Sequence, residues 1–349
     1  MRKKNSSVQR KKVKFDNKNL NDPKIKKVYL TFKKQLYSQI KNEKFCIGVS
    51  GGPDSLALAF LCKIFSKEFN SKFVALIIDH KLRKQSAAEA QKVKIILTKY
   101  KIRAKILTWK GKIPKSNIQF NARNIRYFLL KKECNKLNIK NLVLAHHEGD
   151  LIENFFIRLF RGSGLKGLSS LNIKRHLEDN VLNLIRPLIN TKKDELIYIS
   201  KKVFKFYLTD PSNFNEKFLR TKIRNYLDGF KSDGLDINKI KLTLSNLQSA
   251  NESINFYKEK SIKNYIRYLQ RNACFVSYGL FNYESREVIF RTVSDVISKI
   301  SDSYYPPRGK DVKNLISKIQ SEKFKKSTLG GCIIEKTHNI LIFRKEFDA

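Results

Sequence analysis

Ser50-Gly51-Gly52-Pro53-Asp54-Ser55 stands between the apolar run FCIGV and the helical pattern LALAFLCKIF, a strand–turn–helix setting in which each residue type has a use. Two glycines let the backbone turn tightly and approach an anion, while the Ser50 and Ser55 hydroxyls and the N–H groups of the helix start offer donors to phosphate oxygens. Asp54 repels phosphate and suits instead a Mg²⁺ that bridges phosphates. No Gly-Lys-Ser/Thr follows, so no lysine is placed to reach a terminal phosphate as in a Walker loop. A bare Gly-Gly-Pro-Asp string is more often a plain turn; the strand, the helix and the flanking serines argue for phosphate.

Further clusters follow in order. Asp79-His80-Lys81-Leu82-Arg83 ends a second apolar run, and strand C-termini of open parallel sheets line ligand crevices. Ala122-Arg123-Asn124-Ile125-Arg126-Tyr127 reads as helix, its two arginines three apart and suited to phosphate or to a solvated basic face. Ala145-His146-His147-Glu148-Gly149-Asp150 closes a later strand and leads through Glu153 to Arg161-Gly162-Ser163-Gly164. Asp150 and Glu153 share a helix face by their spacing. Asp210-Pro211-Ser212-Asn213 precedes Arg220 and Arg224. Adjacent histidines at a strand end point in different directions, and neither HExxH nor a spaced third ligand accompanies them, so packing or substrate shaping is favoured over metal ligation. Gly162 to Gly167 formally satisfies GxGxxG, but it follows a helical stripe rather than a strand, and a dinucleotide reading fails on that context.

The elements that must hold these residues are legible as short apolar runs alternating with helical periodicity, the pattern of a parallel sheet wrapped by helices. Phe45–Val49, Phe73–Asp79, Ile102–Trp109, Leu142–Ala145 and Leu182–Ile185 are expected strands. Leu56–Phe69, Ala87–Tyr100, Asn121–Leu137, Leu151–Phe160 and Asp194–Phe204 are expected helices. The fold class is therefore α/β, an open, mainly parallel, doubly wound sheet. Residues 1–40 read as a basic N-terminal extension with some helix, residues 41–230 as the nucleotide domain. Near Gly229–Gly234 the alternation stops, and residues 235–349 read as a smaller, mainly helical domain with two β-like runs, Cys332–Glu335 and Ile340–Phe343. Thr328–Cys332 reads as a tight turn entering a strand.

Lys and Arg number 72 against 31 Asp and Glu, a net charge of +41, which points to a polyanion, nucleic acid or an acidic membrane surface. Hydrophobic residues reach 41%, with 24 Phe and 14 Tyr, enough for a sizeable core. No apolar run approaches a membrane span, and the first residues carry no signal-peptide pattern. The five cysteines (Cys46, Cys62, Cys134, Cys274, Cys332) form no CxxC, and Cys62 and Cys134 sit on apolar helix faces as small core residues. A reducing cytoplasm fits this pattern.

SGGPDS resembles the SGGxDS loop of the N-type ATP pyrophosphatases, which split ATP between its α and β phosphates; the resemblance implies an adenine nucleotide alpha hydrolase-like fold. With DHKLR, ARNIRY, AHHEGDxxE followed by RLFRGSGLKGL, and DPSN with its two arginines, the stretch Phe45–Arg224 resembles the tRNA(Ile)-lysidine synthetases. That resemblance implies ATP-dependent adenylation of the oxygen on carbon 2 of the wobble cytosine of tRNA(Ile) with a CAU anticodon, then displacement of AMP by the ε-amine of free L-lysine. It implies ATP contacts at Ser50, Gly51, Gly52, Pro53, Asp54, Ser55 and Asp79, with Mg²⁺ on Asp54. Catalytic roles fall to Asp54, Asp150, Arg123 and Arg220. Lysine contacts fall to Asp150, Glu153 and His147, and tRNA contacts to Arg126, Arg161 and Arg224. Two positions depart from the pattern: Gly149 stands where HHxDD has its first aspartate, and Thr221 where RNxxR has asparagine. The rival readings are another PP-loop tRNA-modifying enzyme, such as a thiolation enzyme, and a catalytically idle RNA-binding homologue. The absence of cysteine pairs counts against sulfur transfer. Oligomeric state is open, a homodimer included.

Overall fold

In a computed structural model the described residues are 17–83, 85–112, 118–169, 174–177, 182–209, 219–270, 272–302 and 307–346. Two compact units divide the chain, one ending at Ile237 and the other beginning at Asn238.

In the first unit β1 (Phe45–Val49), β2 (Phe73–Asp79), β3 (Ala104–Thr108), β4 (Asn141–Val143) and β6 (Leu182–Ile185) are parallel neighbours, and β5 (Lys174–Leu177) pairs antiparallel with β6 at the edge. The order is β3-β2-β1-β4-β6-β5. Strand alternation sorts β1 between two cores: Phe45, Ile47 and Val49 enter one apolar cluster and Cys46 the other. The first cluster takes the buried faces of α1 (Pro23–Ile40), α2 (Pro53–Glu68), α3 (Ser86–Lys99) and α7 (Lys193–Phe204). On the opposite side, Leu130 and Cys134 of α4 (Ile118–Lys136) cover Leu76, Leu142 and Leu184. Helices on both faces of a parallel sheet are what the sequence pattern requires. After β3 the chain crosses back over β1 to lay down β4, so the winding reverses between β1 and β4. A crevice opens beyond the strand C-termini at such a switch point.

The expectation for residues 1–40 is corrected here. Pro23–Ile40 is a core helix, with Ile25, Phe32 and Leu36 fully buried. Its basic residues occupy the other face. Asp22 caps it by accepting from the N–H groups of Lys24 and Ile25 at 2.9 and 3.2 Å, and its second oxygen accepts from Tyr198 Oη of α7 at 2.6 Å. The break expected near Gly229 also shifts, because α8 (Leu219–Ser232) runs through that glycine. Asp210–Asn213 lies outside the described residues.

The second unit is mainly helical, with α9 (Ile237–Tyr265), α10 (Gly279–Tyr283), α11 (Arg286–Ser301) and α12 (Gly309–Ile319). It also holds a five-stranded antiparallel sheet of order β7-β8-β11-β10-β9, built from β7 (Ile266–Gln270), β8 (Ala273–Ser277), β9 (Lys326–Leu329), β10 (Cys332–Thr337) and β11 (Ile340–Lys345). Sequence patterning exposes only β10 and β11. No Gly or Pro separates α9 from β7, since Tyr265 ends the helix and Ile266 begins the strand. Buried Arg291 ties α11 to α9 by donating to Asn251 Oδ1 at 2.7 Å and Asn255 Oδ1 at 3.0 Å. No helix among the described residues is long and apolar enough to cross a membrane.

If α1 is part of the nucleotide domain's core, Phe32→Ala will destabilise that domain by about 3–5 kcal/mol. Urea unfolding measures it; an unchanged midpoint is the outcome expected of a detached extension.

Candidate active site

Two loops meet at the switch point, one leaving β1 and one leaving β4. The first, Ser50–Ser55, is braced from inside. Ser55 Oγ accepts from the N–H groups of Ser50 and Gly51 at 3.2 and 3.1 Å and donates to Gly52 O at 3.0 Å. Gly51 has φ +86°, and a Cβ there would stand 2.5 Å from Val93 Cγ2 and 2.8 Å from Leu208 Cδ1. Only glycine meets both demands. Leu208 N–H in turn donates to Gly51 O at 2.9 Å. Gly52 is the N-cap of α2 and Pro53 its first residue, with no side chain capping the helix. Ser55 thus shapes the loop, while the exposed Ser50 and the uncapped helix start remain as the donors toward an anion.

Asp54 lies in the first turn of α2. Its Oδ1 is buried without a hydrogen-bond partner. Burial raises its pKa, and the charge of Asp150 adds to the rise against the pull of His147. A desolvated, unpaired carboxylate oxygen is costly, and a cation shared with phosphate removes that cost. Among the described residues no group of three or more His, Cys, Asp or Glu gathers as a metal site. One carboxylate is nevertheless the usual protein share for Mg²⁺, which takes its remaining ligands from phosphates and water.

The second loop enters α5 (Glu148–Leu159) through His147, the N-cap. His147 Nδ1 accepts from Gly149 N–H at 3.0 Å, and Asp150 Oδ2 accepts from His147 N–H at 3.1 Å. His147 Nε2 stands 3.7 Å from Asp54 Oδ2 and 3.7 Å from Asp150 Oδ2. Across the site α8 supplies two arginines. Arg220 donates to Asp150 Oδ1 at 2.6 Å and to Glu153 Oε2 at 2.7 Å, and Arg224 donates to Glu153 Oε1 at 2.8 Å. Burial works to raise the Asp150 pKa, yet His147, Arg220 and the His147 N–H hold it below the ordinary carboxylate range.

A cleft of about 240 Å³ adjoins this lattice, lined by Arg123, His146, Asp150, Asn154, Ile157, Arg161, Leu219 and Arg220. That is small beside the ~300–1,000 Å³ of drug-sized pockets and suits an amino-acid-sized guest. Asp150, Asn154, Ile157 and Arg161 follow one another at helical intervals, so one stripe of α5 and its exit forms a wall. Asn154, one turn from Asp150, was findable by that spacing. His146, rather than the buried His147, faces the cleft, with Nδ1 buried and unpartnered. Glu153 lies behind the wall as the anchor of both arginines.

The other expected residues are spread around this centre. Asp79, at the end of β2, is buried, and its Oδ1 accepts from Lys81 N–H at 3.0 Å and Ser86 Oγ at 2.7 Å, bracing the entry to α3. Arg123 lies over the Tyr127 ring at 5.2 Å. Arg126 is exposed on the same helix. Gly162–Gly167 joins two helices, α5 and the short α6 (Leu165–Leu168), so no dinucleotide turn exists there. All five cysteines are free and completely buried, Cys62 and Cys134 among them.

Comparison with known proteins shows the family and the fold. A PP-loop domain family matches residues 25–228. A tRNA(Ile)-lysidine synthase of Orientia tsutsugamushi is 35% identical over 319 residues, covering 88% of this chain and 70% of the relative. The chain belongs to the tRNA(Ile)-lysidine synthase family. A family member from Wolbachia pipientis is 32% identical over 314 residues, covering 88% of this chain and 72% of its own length. Among solved structures, the U34-tRNA thiolase NcsA of Methanococcus maripaludis superposes with a TM-score of 0.55 at 19% identity, over 66% of this chain and 78% of that one. That likeness is one of fold. The PP-loop match begins at Ile25, within α1, in keeping with the helix's place in the core.

Two outcomes follow from the lattice and its histidines. Glu153→Gln removes the charge that both arginines share, so α8 should loosen from α5 at a cost of about 1–3 kcal/mol. Hydrogen exchange of the α8 amides reads this, and unchanged protection would show that apolar packing alone holds the helix. Burial pushes His80 down to about 4, with the charge of Arg126 assisting, and pushes His146 to about 3. An unfolded imidazole titrates near 6.5. From pH 6.5 down to about 4 for His80 and about 3 for His146, the unfolded chain therefore binds protons that the folded chain refuses. Stability is full above pH 6.5 and falls as pH drops through that window. In urea titrations a His80→Gln, His146→Gln variant should show a shallower fall than wild type.

Proposed function

We propose that this chain ligates L-lysine to carbon 2 of the wobble cytidine of tRNA(Ile), with ATP and Mg²⁺, in the cytoplasm. The observation that carries the reading is the junction of two loops at one switch point: a braced phosphate loop with an unpartnered carboxylate oxygen, and an amino-acid-sized cleft edged by Asp150. Membership of the tRNA(Ile)-lysidine synthase family supplies the reaction that joins them.

In the first step the cytosine oxygen on carbon 2 attacks the α phosphorus of ATP and diphosphate leaves. Ser50 and the uncapped N-terminus of α2 hold phosphate oxygens, Gly51, Gly52 and Pro53 set the approach of the backbone, and Ser55 keeps the loop in shape. Asp54 Oδ1 would hold Mg²⁺, whose charge neutralises the phosphates. Asp79 supports the nucleotide side by fixing the entry to α3. In the second step the lysine ε-amine bonds to carbon 2, loses a proton, and the carbon–oxygen bond breaks to release AMP.

Asp150 is the carboxylate that both lines the cleft and keeps its charge, so it receives an ammonium group of lysine. Glu153 acts with it by holding Arg220 and Arg224. Arg123 and Arg220 offer charge to the transferred phosphoryl group or the lysine carboxylate. The amine, with an ordinary pKa of ~10.4, must shed a proton before it attacks; Asp150 is the carboxylate in the cleft placed to receive it. Arg126 and Arg161 are exposed cations suited to the tRNA backbone, Arg224 is the third candidate although it also holds Glu153, and the +41 of the chain draws that polyanion in.

Asp54→Ala should abolish AMP formation in the presence of lysine and substrate tRNA, and retained turnover would sink the assignment. Asp150→Asn should raise KM for lysine about 10–100-fold, the worth of a charge-assisted hydrogen bond, with KM for ATP nearly unchanged. Steady-state assays varying each substrate separate the two constants.

A further inference from the structure

α4 turns Leu130 and Cys134 to the sheet, and helical spacing then gathers Phe120, Asn124 and Phe128, at i, i+4 and i+8, on one outward ridge. Both phenylalanines are 55% exposed. A single exposed ring is ordinary. Two on one ridge, about 12 Å apart along the axis, with Arg123 and Tyr127 on the adjoining ridge, make a patterned surface. Arg123 also lines the cleft, so this surface starts at the reaction site. Phe128 is held rather than loose. Trp109, just after β3, meets its ring at 6.2 Å and 89°, edge to face, and Trp109 Nε1 is itself fixed by donating to Lys112 O at 3.1 Å. A ring so held has little freedom left to lose when a guest lies on it.

The charge around the ridge is of one sign. From Trp109 to Lys132 the sequence has no Asp or Glu, while Lys110, Lys112, Arg126, Lys131 and Lys132 stand in it. Glu133, the next acid, is buried and taken by Lys105 Nζ at 2.6 Å. Rings interleaved with cations suit unpaired nucleotides, whose bases stack on the rings while their phosphates follow the cations.

We infer that this ridge of α4 is a stacking platform for the unpaired nucleotides next to the reacting cytidine, with Phe120 and Phe128 each taking the face of a base. The inference rests on the proposed ligation to tRNA and adds the surface that leads the RNA strand to the cleft. Cations alone would grip the backbone of any stem. Rings serve only bases that stand outside a duplex, so the platform favours a loop over a stem.

Trp109 is the one tryptophan of the chain, so its emission reports on the platform directly. Full-length protein is titrated with three RNAs: the anticodon stem-loop of tRNA(Ile), the same RNA made abasic at the two nucleotides flanking the wobble cytidine, and a fully paired duplex. Wild type should bind the stem-loop with quenching of Trp109 and bind the other two about tenfold or more weakly, the scale of base–aromatic stacking. Phe120→Ala and Phe128→Ala should each weaken stem-loop binding about tenfold, yet change binding of the abasic RNA by less than about twofold, the signature of a ring coupled to a base. Phe128→Tyr should keep the affinity and Phe128→Leu lose it. Wild-type affinity in Phe128→Leu would mark a merely apolar contact, and equal binding of duplex and stem-loop a purely charged one; either overturns the inference. So does a Phe120→Ala, Phe128→Ala protein that keeps its RNA affinity, whether or not it loses self-association. Should a variant fail to fold, the three RNAs on wild type still decide, since equal affinities would leave no use for the rings. Failure of the proposed function reads differently: wild type would form no lysine-dependent AMP. If only the platform is wrong, that turnover persists and the phenylalanine variants keep the wild-type KM for tRNA.

Discussion

Asp150 and Glu153, one turn apart on α5 and largely withdrawn from water, are met by arginines from α8, and the imidazole of His147 faces Asp150. Isolated in an apolar setting, either would protonate or drive the helix outward. Much else in the site hangs on this match. It sets where α8 lies, it closes the back of the cleft with Glu153, and it turns Asp150 forward as the anion that a guest can reach. Asp54, a few ångströms away, has no such partner on one oxygen and is pushed the other way by burial. Neighbouring carboxylates with opposite displacements are the means by which one pocket can hold a cation at one end and an amine at the other.

The sheet was legible because each strand of the nucleotide domain is a short apolar run with a clear end. β1, β2 and β6 begin and end where the runs do, and the helices between them differ from their periodic patterns by a few residues. α1 was harder to read. Ile25, Val28, Tyr29, Phe32, Leu36 and Ile40 form a proper helical stripe, but lysines crowd the opposite face, and a basic face looks like a basic tail when only composition is weighed. β7 escaped because a strand that begins on the residue after a helix leaves no punctuation in the chain.

Within the site, spacing revealed which residues share a face but not what that face meets. The motif residues Ser50–Ser55, His147, Asp150 and Glu153 do converge. Their mutual engagement could not be read from order alone, since Arg220 lies 67 residues from Glu153 along the chain and 70 from Asp150. The same limit hid the exchange of places between the two histidines: one backbone step at the end of β4 decides which imidazole is buried as a cap and which faces the cleft.

The helix that carries Asp54 has its own dependence on distant sequence. α2 packs chiefly on α7, and ten of its sixteen residues are buried. During synthesis the last turn of α7 emerges roughly 135 residues after α2 is complete, an interval of about 7–27 s at ~5–20 residues per second. Through that interval the apolar flank of the future phosphate loop helix has no native cover. The nucleotide site is thus assembled late, when its C-terminal helices leave the ribosome, and the nascent chain must shelter a greasy surface until they do.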